Sequence, residues 1–121
     1  NKLSDYGIVK KQEALVKQYE EQDQHPFYPV EVHVVRLGNV VFATNPFELF
    51  TDYGFQITGR SKAKQTFIIQ LSSGDSGGYL PTKRAIEGKG YRGYSAIVNQ
   101  VGPEGGQMLV DETVNLINSI W

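Results

Sequence analysis

Gly38-Asn39 limits what this chain can fold into more than any other pair of residues. Before it, Val30, Val32 and Val34 alternate with Glu31 and His33; after it comes the apolar run Val40-Val41-Phe42-Ala43. Alternation with period two marks a half-buried strand. Two such strands joined by a two-residue Gly-Asn connection form a hairpin. Segments with helical spacing on both sides of the hairpin then narrow the fold class. Residues 4 to about 22 place Ile8, Leu15 and Tyr19, with Val9 and Val16 beside them, on one stripe, and His25-Pro26-Phe27-Tyr28-Pro29 breaks that helix.

Further elements follow the hairpin. A second helix is expected from Asn45 to about Gly59, and a third strand over residues 65–71. Residues 72–78 form a glycine- and serine-rich loop, and a short helix starts at Thr82. Glycines 88, 90 and 93 mark an irregular stretch, and Gly102-Pro103-Glu104-Gly105-Gly106 reads as another loop. The last helix carries Leu109, Thr113, Leu116 and Ile120 beside Val110, Val114, Ile117 and Trp121, one broad apolar face. No repeat or low-complexity tract interrupts this order. The expected fold is α/β, with α+β as the other possibility: a hairpin and further strands packed with about four helices, in one domain or domain fragment spanning residues 1–121.

Composition excludes several function classes. The 121 residues are 40% hydrophobic and 21% charged, the balance of a globular chain. A net charge of −1 supplies no footprint for nucleic acid or an anionic membrane. Without cysteine there is no disulfide framework, thiolate zinc site or cysteine nucleophile. No run of about 18 apolar residues is present to span a membrane. The chain opens at Asn1 and not at methionine, so it is expected to be a piece of a longer polypeptide or the product of processing.

Gly74-Asp75-Ser76-Gly77-Gly78 matches the nucleophile loop of chymotrypsin-like proteases. Those enzymes need two β-barrels with a histidine and an aspartate upstream of the serine. This chain is too short and too helical, and its two histidines, His25 and His33, fall in a turn and on the polar side of a strand. No His-x-x-x-His or carboxylate–histidine spacing occurs, so the chain cannot build a self-contained zinc site.

Asn45-Pro46-Phe47-Glu48 admits two readings. Asn45 is a good helix N-cap, Pro46 suits the first helical position, and Glu48 then completes a capping box. A carboxylate at a helix start just beyond a strand is also where α/β proteins place catalytic groups. Tyr79 and Tyr91 are two of seven tyrosines, and most tyrosines are half-buried packing residues with a wet hydroxyl. The residues alone leave both readings open.

Taken in order, these segments resemble the neutral ceramidase family. Residues 30–50 resemble a hairpin followed by a Pro-x-Glu at a helix start. Residues 72–82, ending in Tyr79-Leu80-Pro81-Thr82, resemble the family's next segment, in which threonine follows a tyrosine by three residues. Gly90-Tyr91 falls where a second tyrosine is found, and Gly102 to Val110 looks like the glycine-rich start of the domain's last helix. The likeness runs from about Val30 to the C-terminus.

Members of that family are zinc-dependent amidases that cleave the N-acyl bond of ceramide, with the metal held by two histidines, a glutamate and a tyrosine. The resemblance implies that Glu48 and Tyr79 are metal ligands and that Tyr91 donates to the substrate amide or its oxyanion. It also implies that the histidine ligands lie in the upstream part of the same polypeptide, so that this chain alone is inactive. A ceramide-like N-acyl lipid is the implied substrate, and a secreted or periplasmic location follows family habit. Phe47 stands where the family usually carries glycine, Lys83-Arg84 replaces an acidic pair, and Ile86 replaces a frequent aromatic. These departures bear on acyl-lipid specificity more than on the metal. The rival expectation is a small non-catalytic α/β module, in which Glu48 caps a helix and both tyrosines pack.

Overall fold

The computed structural model describes residues 2–74, 77–89 and 99–121. Among these described residues, four helices and two small sheets give an α/β arrangement: α1 (Lys2–Glu21), β1 (Val34–Leu37), β2 (Val40–Thr44), β3 (Glu48–Leu49), α2 (Thr51–Arg60), β4 (Gln65–Ile69), β5 (Tyr79–Leu80), α3 (Lys83–Glu87) and α4 (Pro103–Ser119). The first sheet has the order β1-β2-β4, and the second is the two-stranded pair β3-β5.

The hairpin forms where expected. Val34 pairs with Ala43 and Leu37 with Val40, antiparallel, around Gly38-Asn39. Gly38 takes φ +61 at the first turn position, the requirement of a type II′ turn that glycine meets without steric cost. The first strand begins at Val34, however, and not at Val30. Its partner β2 ends at Thr44, and the next amide, Asn45 N–H, donates to the Ile69 carbonyl at 2.9 Å. Residues 30–32 therefore have no strand opposite them, and only His33 still bonds across, to Thr44.

β4 pairs with β2 in parallel, Val40 with Gln65 through Thr44 with Ile69. One face of this sheet meets α2 and α4. Val41, Ala43, Leu49, Tyr53, Ile57, Leu80, Leu109, Val110, Val114 and Ile117 make the core between them. The apolar face of α4 is thus real along its inner edge, while Leu116 and Ile120 remain partly exposed. Trp121 lies past the helix end, with the Arg36 guanidinium 3.9 Å above its ring.

Two local expectations are corrected. Residues 103–106 are not a loop, because α4 starts at Pro103 and its first turn contains Gly105-Gly106. Those glycines admit close neighbours: a Cβ at Gly105 would overlap Val101, and one at Gly106 would overlap the Tyr53 hydroxyl. α1 occupies the expected residues, but its stripe is not buried. Ile8, Val9, Val16 and Tyr19 are all more than half exposed. The helix runs beside the body, bonded through Gln18 to Gln100 at 3.3 Å, and borders a groove of about 1250 Å³ that also touches the 25–32 segment and the first half of α4.

A paired carboxylate and phenol beyond the parallel strands

Past the carboxyl ends of β2 and β4 the two chains stay together for a few residues. Asn45 is buried, and its Oδ1 accepts from the Phe47 amide at 3.0 Å, an Asx turn. The Ser72 amide donates to the Asn45 carbonyl at 2.9 Å, and that of Leu71 to the Phe47 carbonyl at 3.3 Å. The expected capping box is therefore absent. Asn45 caps its own turn, α2 begins only at Thr51, and Phe50 occupies the N-cap position with no side-chain cap bond. The cause is a competing ladder: the Glu48 amide donates to the Gly78 carbonyl at 2.9 Å and the Phe50 amide to Leu80 at 3.3 Å. These bonds hold residues 48–50 extended and delay the helix by a turn and a half.

That ladder brings the two sequence-derived ligand candidates together. β3 and β5 run parallel, with Glu48 opposite Tyr79 and Leu49 opposite Leu80. Laterally paired residues of neighbouring strands share a face and lie roughly 5 Å apart, and successive residues alternate faces. Leu49 and Leu80 are buried in the core. Glu48 and Tyr79 emerge side by side on the opposite face, both half-buried. The Phe50 ring meets Tyr79 edge-on, with centroids 6.5 Å apart and planes at 88°. Among the described residues the Glu48 carboxylate has no hydrogen-bond or ion-pair partner, so its oxygens are available.

The surrounding backbone is tightly held. The Gly77 amide donates to the Pro46 carbonyl at 3.0 Å, and a Cβ at Gly77 would overlap the Phe47 ring. Leu71, Ser73 and Gly74 have φ of +53, +71 and +109, a cluster of left-handed residues in the loop that flanks β3. Thr44 Oγ1 and Ser73 Oγ lie 2.8 Å apart at its base.

Two residues missed in the sequence, and one read there as a helix cap, position this site. Gln70 Oε1 accepts from the Leu49 amide at 2.7 Å, extending the sheet on the side away from β5. Tyr53, 2% exposed, donates to the carbonyls of Pro81 and Pro103 at 3.0 and 3.2 Å, tying the end of β5 to the start of α4. Burial, with the charges of Glu104 and Asp52, raises its phenol pKa above 10. Asn45, read in the sequence as a helix N-cap, is the third, and Asn-Pro as a turn starter was the signal for the turn it caps instead.

The departures from the family pattern fall away from the pair. Phe47 is a core side chain, 1% exposed, so it acts on packing. Lys83 and Arg84 are exposed, with Arg84 3.2 Å from Asp52 and Lys83 4.0 Å from Glu87. Thr82 does cap the short helix, accepting from the Ala85 amide at 3.2 Å. Tyr91, Asp75 and Ser76 lie outside the described residues.

Metal binding needs more than this pair. Among the described residues no three His, Cys, Asp or Glu side chains converge, and His33 lies 2.8 Å from Glu31, away from the ladder. A carboxylate and a phenol supply two of the four donors of a tetrahedral zinc site. These residues alone do not fit a zinc ion. No helix among the described residues is long and apolar enough to cross a membrane. Comparison with protein-family models, with curated proteins and with solved structures finds no match to this chain.

Proposed function

We propose that this chain is part of a zinc-dependent amidohydrolase resembling neutral ceramidase, one that hydrolyses the N-acyl amide of a ceramide-like lipid. The observation that carries the reading is the lateral pairing of Glu48 with Tyr79 on the open face of the β3-β5 ladder. The residues nominated as ligands by the family resemblance stand 31 positions apart in the chain, yet share one register position.

In this reading Glu48 and Tyr79 supply two donors, and histidines from the upstream part of the same polypeptide complete the set. A zinc ion completed by those histidines would supply a bound water with its pKa lowered towards ~7 and a Lewis acid for the scissile carbonyl. The chain's own contribution is placement. The buried Leu49-Leu80 pair anchors the ladder, Phe50 steadies the Tyr79 ring, and Gln70 fixes the outer edge of β3. The resemblance gives Tyr91 the role of donor to the amide or to the oxyanion that forms on it, where a hydroxyl would stabilise charge developed in the transition state.

The rival reading, a non-catalytic module, gave Glu48 the role of a helix cap. The start of α2 at Thr51 removes that role. The test is elemental analysis of the longest polypeptide the gene encodes, with and without Glu48→Gln. About one zinc per chain is expected in the parent. Because Glu48 caps nothing, the variant should lose zinc while its apo stability stays within about 0.5 kcal/mol of the parent. Zinc retained in the variant, or none in the parent, would refute the reading.

A further inference from the structure

The first half of α1 and the groove beside its second half complement each other in polarity and charge. Tyr6, Ile8 and Val9 are all more than half exposed. Successive helical residues are rotated by about 100°, so these three side chains leave the helix on different sides. A turn that is apolar on several sides is suited to an enclosing groove and not to a flat surface. Lys10 and Lys11 follow directly, both exposed. The groove presents the converse. Its walls are largely apolar, with Phe27 87% and Met108 67% exposed. Four carboxylates border it, those of Glu21, Asp23, Glu104 and Glu112, and Lys17, 3.8 Å from Glu21, answers one of them. Met108 lies one turn from both Glu104 and Glu112 on the same side of α4. At about 1250 Å³ the groove exceeds the roughly 300–1,000 Å³ of a small-molecule site and suits an amphipathic helix laid lengthwise.

The α1 residues that line the groove begin at Ala14. A continuous helix of 20 residues is about 30 Å long, and it cannot bring its own first half into a groove bordered by its second. The half-helix that matches the groove must therefore come from another molecule. We infer that two copies of this chain associate by exchanging these parts: residues 5–11 of each α1 seat in the groove of the other copy. The two α1 helices then run antiparallel, with Lys10 and Lys11 of one copy facing the acidic rim of its partner. Such an interface is two-fold symmetric, so each copy contributes both its half-helix and its groove. With about 150–250 Å² for a whole aromatic side chain, the exposed parts of Tyr6, Ile8, Val9, Tyr19, Phe27 and Met108 come to on the order of 700–800 Å² per copy. That exceeds the largest apolar patch of a typical monomer, about 300–600 Å², and matches the roughly 800 Å² that each partner of a stable complex contributes. The pairing does not depend on the function proposed above.

The test is charge reversal read by sedimentation equilibrium on the longest polypeptide the gene encodes. One variant carries Lys10→Glu with Lys11→Glu, the other Asp23→Lys with Glu112→Lys. All four side chains are exposed, so folding is left alone. The parent is expected to dimerise, more weakly as salt is added. Each variant alone sets like charges against each other and should raise the dimer dissociation constant by about 100-fold or more. An equimolar mixture of the two should dimerise again to within about tenfold of the parent, because every acidic half-helix then meets a basic groove and every basic half-helix an acidic one. A parent that stays monomeric at about 100 μM, well above the dissociation constant of a standard-size interface, would overturn the inference. Shielding of Phe27 from hydroxyl radicals in such a monomer would assign the groove to another part of the same polypeptide. A dimer indifferent to both reversals, or a mixture that stays monomeric, would overturn it equally.

Discussion

Phe47 and Gly77 should behave as one unit, and that can be measured. The Phe47 ring is buried where a Cβ at position 77 would need to be. Gly77→Ala therefore forces the ring or the β5 approach to move, an overpacking cost of about 1–3 kcal/mol. Phe47→Leu alone removes ring volume from a close-packed site and costs about 1–2 kcal/mol, below the range for truncation to alanine. The leucine lacks the ring edge that the new methyl meets, so the double variant should recover about 1–2 kcal/mol relative to the sum of the singles. Urea unfolding of all four proteins gives the coupling directly, provided the denaturant slope is shared. The same cycle reports on the site, because the Gly77 amide bonds to Pro46 one residue before the Gly78-Glu48 contact. Under the function proposed above, zinc affinity of the longest polypeptide the gene encodes should fall in Gly77→Ala and return with Phe47→Leu. Additive singles, within about 0.5 kcal/mol, would refute the contact and with it the reading of Phe47 as a packing residue.

Other outcomes follow from single contacts. Tyr53→Phe should cost about 1–2 kcal/mol, because the carbonyls of Pro81 and Pro103 lose their shared donor. Its raised phenol pKa adds a pH signature. The folded chain holds this proton more tightly than the unfolded chain, so the contribution is complete below pH ~10 and is lost as pH climbs through the folded value. Denaturation midpoints should therefore fall more steeply above pH ~10 in the parent than in Tyr53→Phe. Gln70→Ala should leave the core intact but unpair the Leu49 amide at the outer edge of β3. A stability loss of about 1 kcal/mol or less is expected, and, under the function proposed above, a larger proportional loss of zinc affinity in the longest polypeptide the gene encodes. Thr82→Ala should cost about 1 kcal/mol by uncapping α3, readable as a lower urea midpoint.

How much of this was legible in the sequence depends on how far apart the deciding groups lie. The Gly38-Asn39 turn, the start of the β4 run at Gln65, the short helix after Thr82 and the inner face of α4 are local signals, and each appears in place. β4 nevertheless ends at Ile69 and not at residue 71. The errors occur where a distant partner overrides a local preference. Val30 and Val32 have the right alternation for a strand, but β2 turns off at Asn45 and leaves them unopposed. Asn45-Pro46-Phe47-Glu48 has a good cap sequence, but the ladder with residues 78–80 holds it extended. Gly105-Gly106 reads as loop until Tyr53 is seen to need the space inside the helix.

The Glu48-Tyr79 pair shows the same limit from the other side. Two-residue strands leave no periodicity, so nothing local could have placed residue 48 against residue 79. A one-residue slip in that ladder would face Glu48 with Gly78 or Leu80 and dissolve the pair. What prevents the slip is apolar: Leu49 and Leu80 must both reach the core, and Phe47 must find its gap at Gly77. Packing on the buried side thus sets the geometry of the polar pair on the open side. Substitutions that never touch Glu48 or Tyr79, Gly77→Ala foremost, should consequently disturb the geometry of that pair, and with it the proposed metal binding, as surely as replacing one of the proposed ligands.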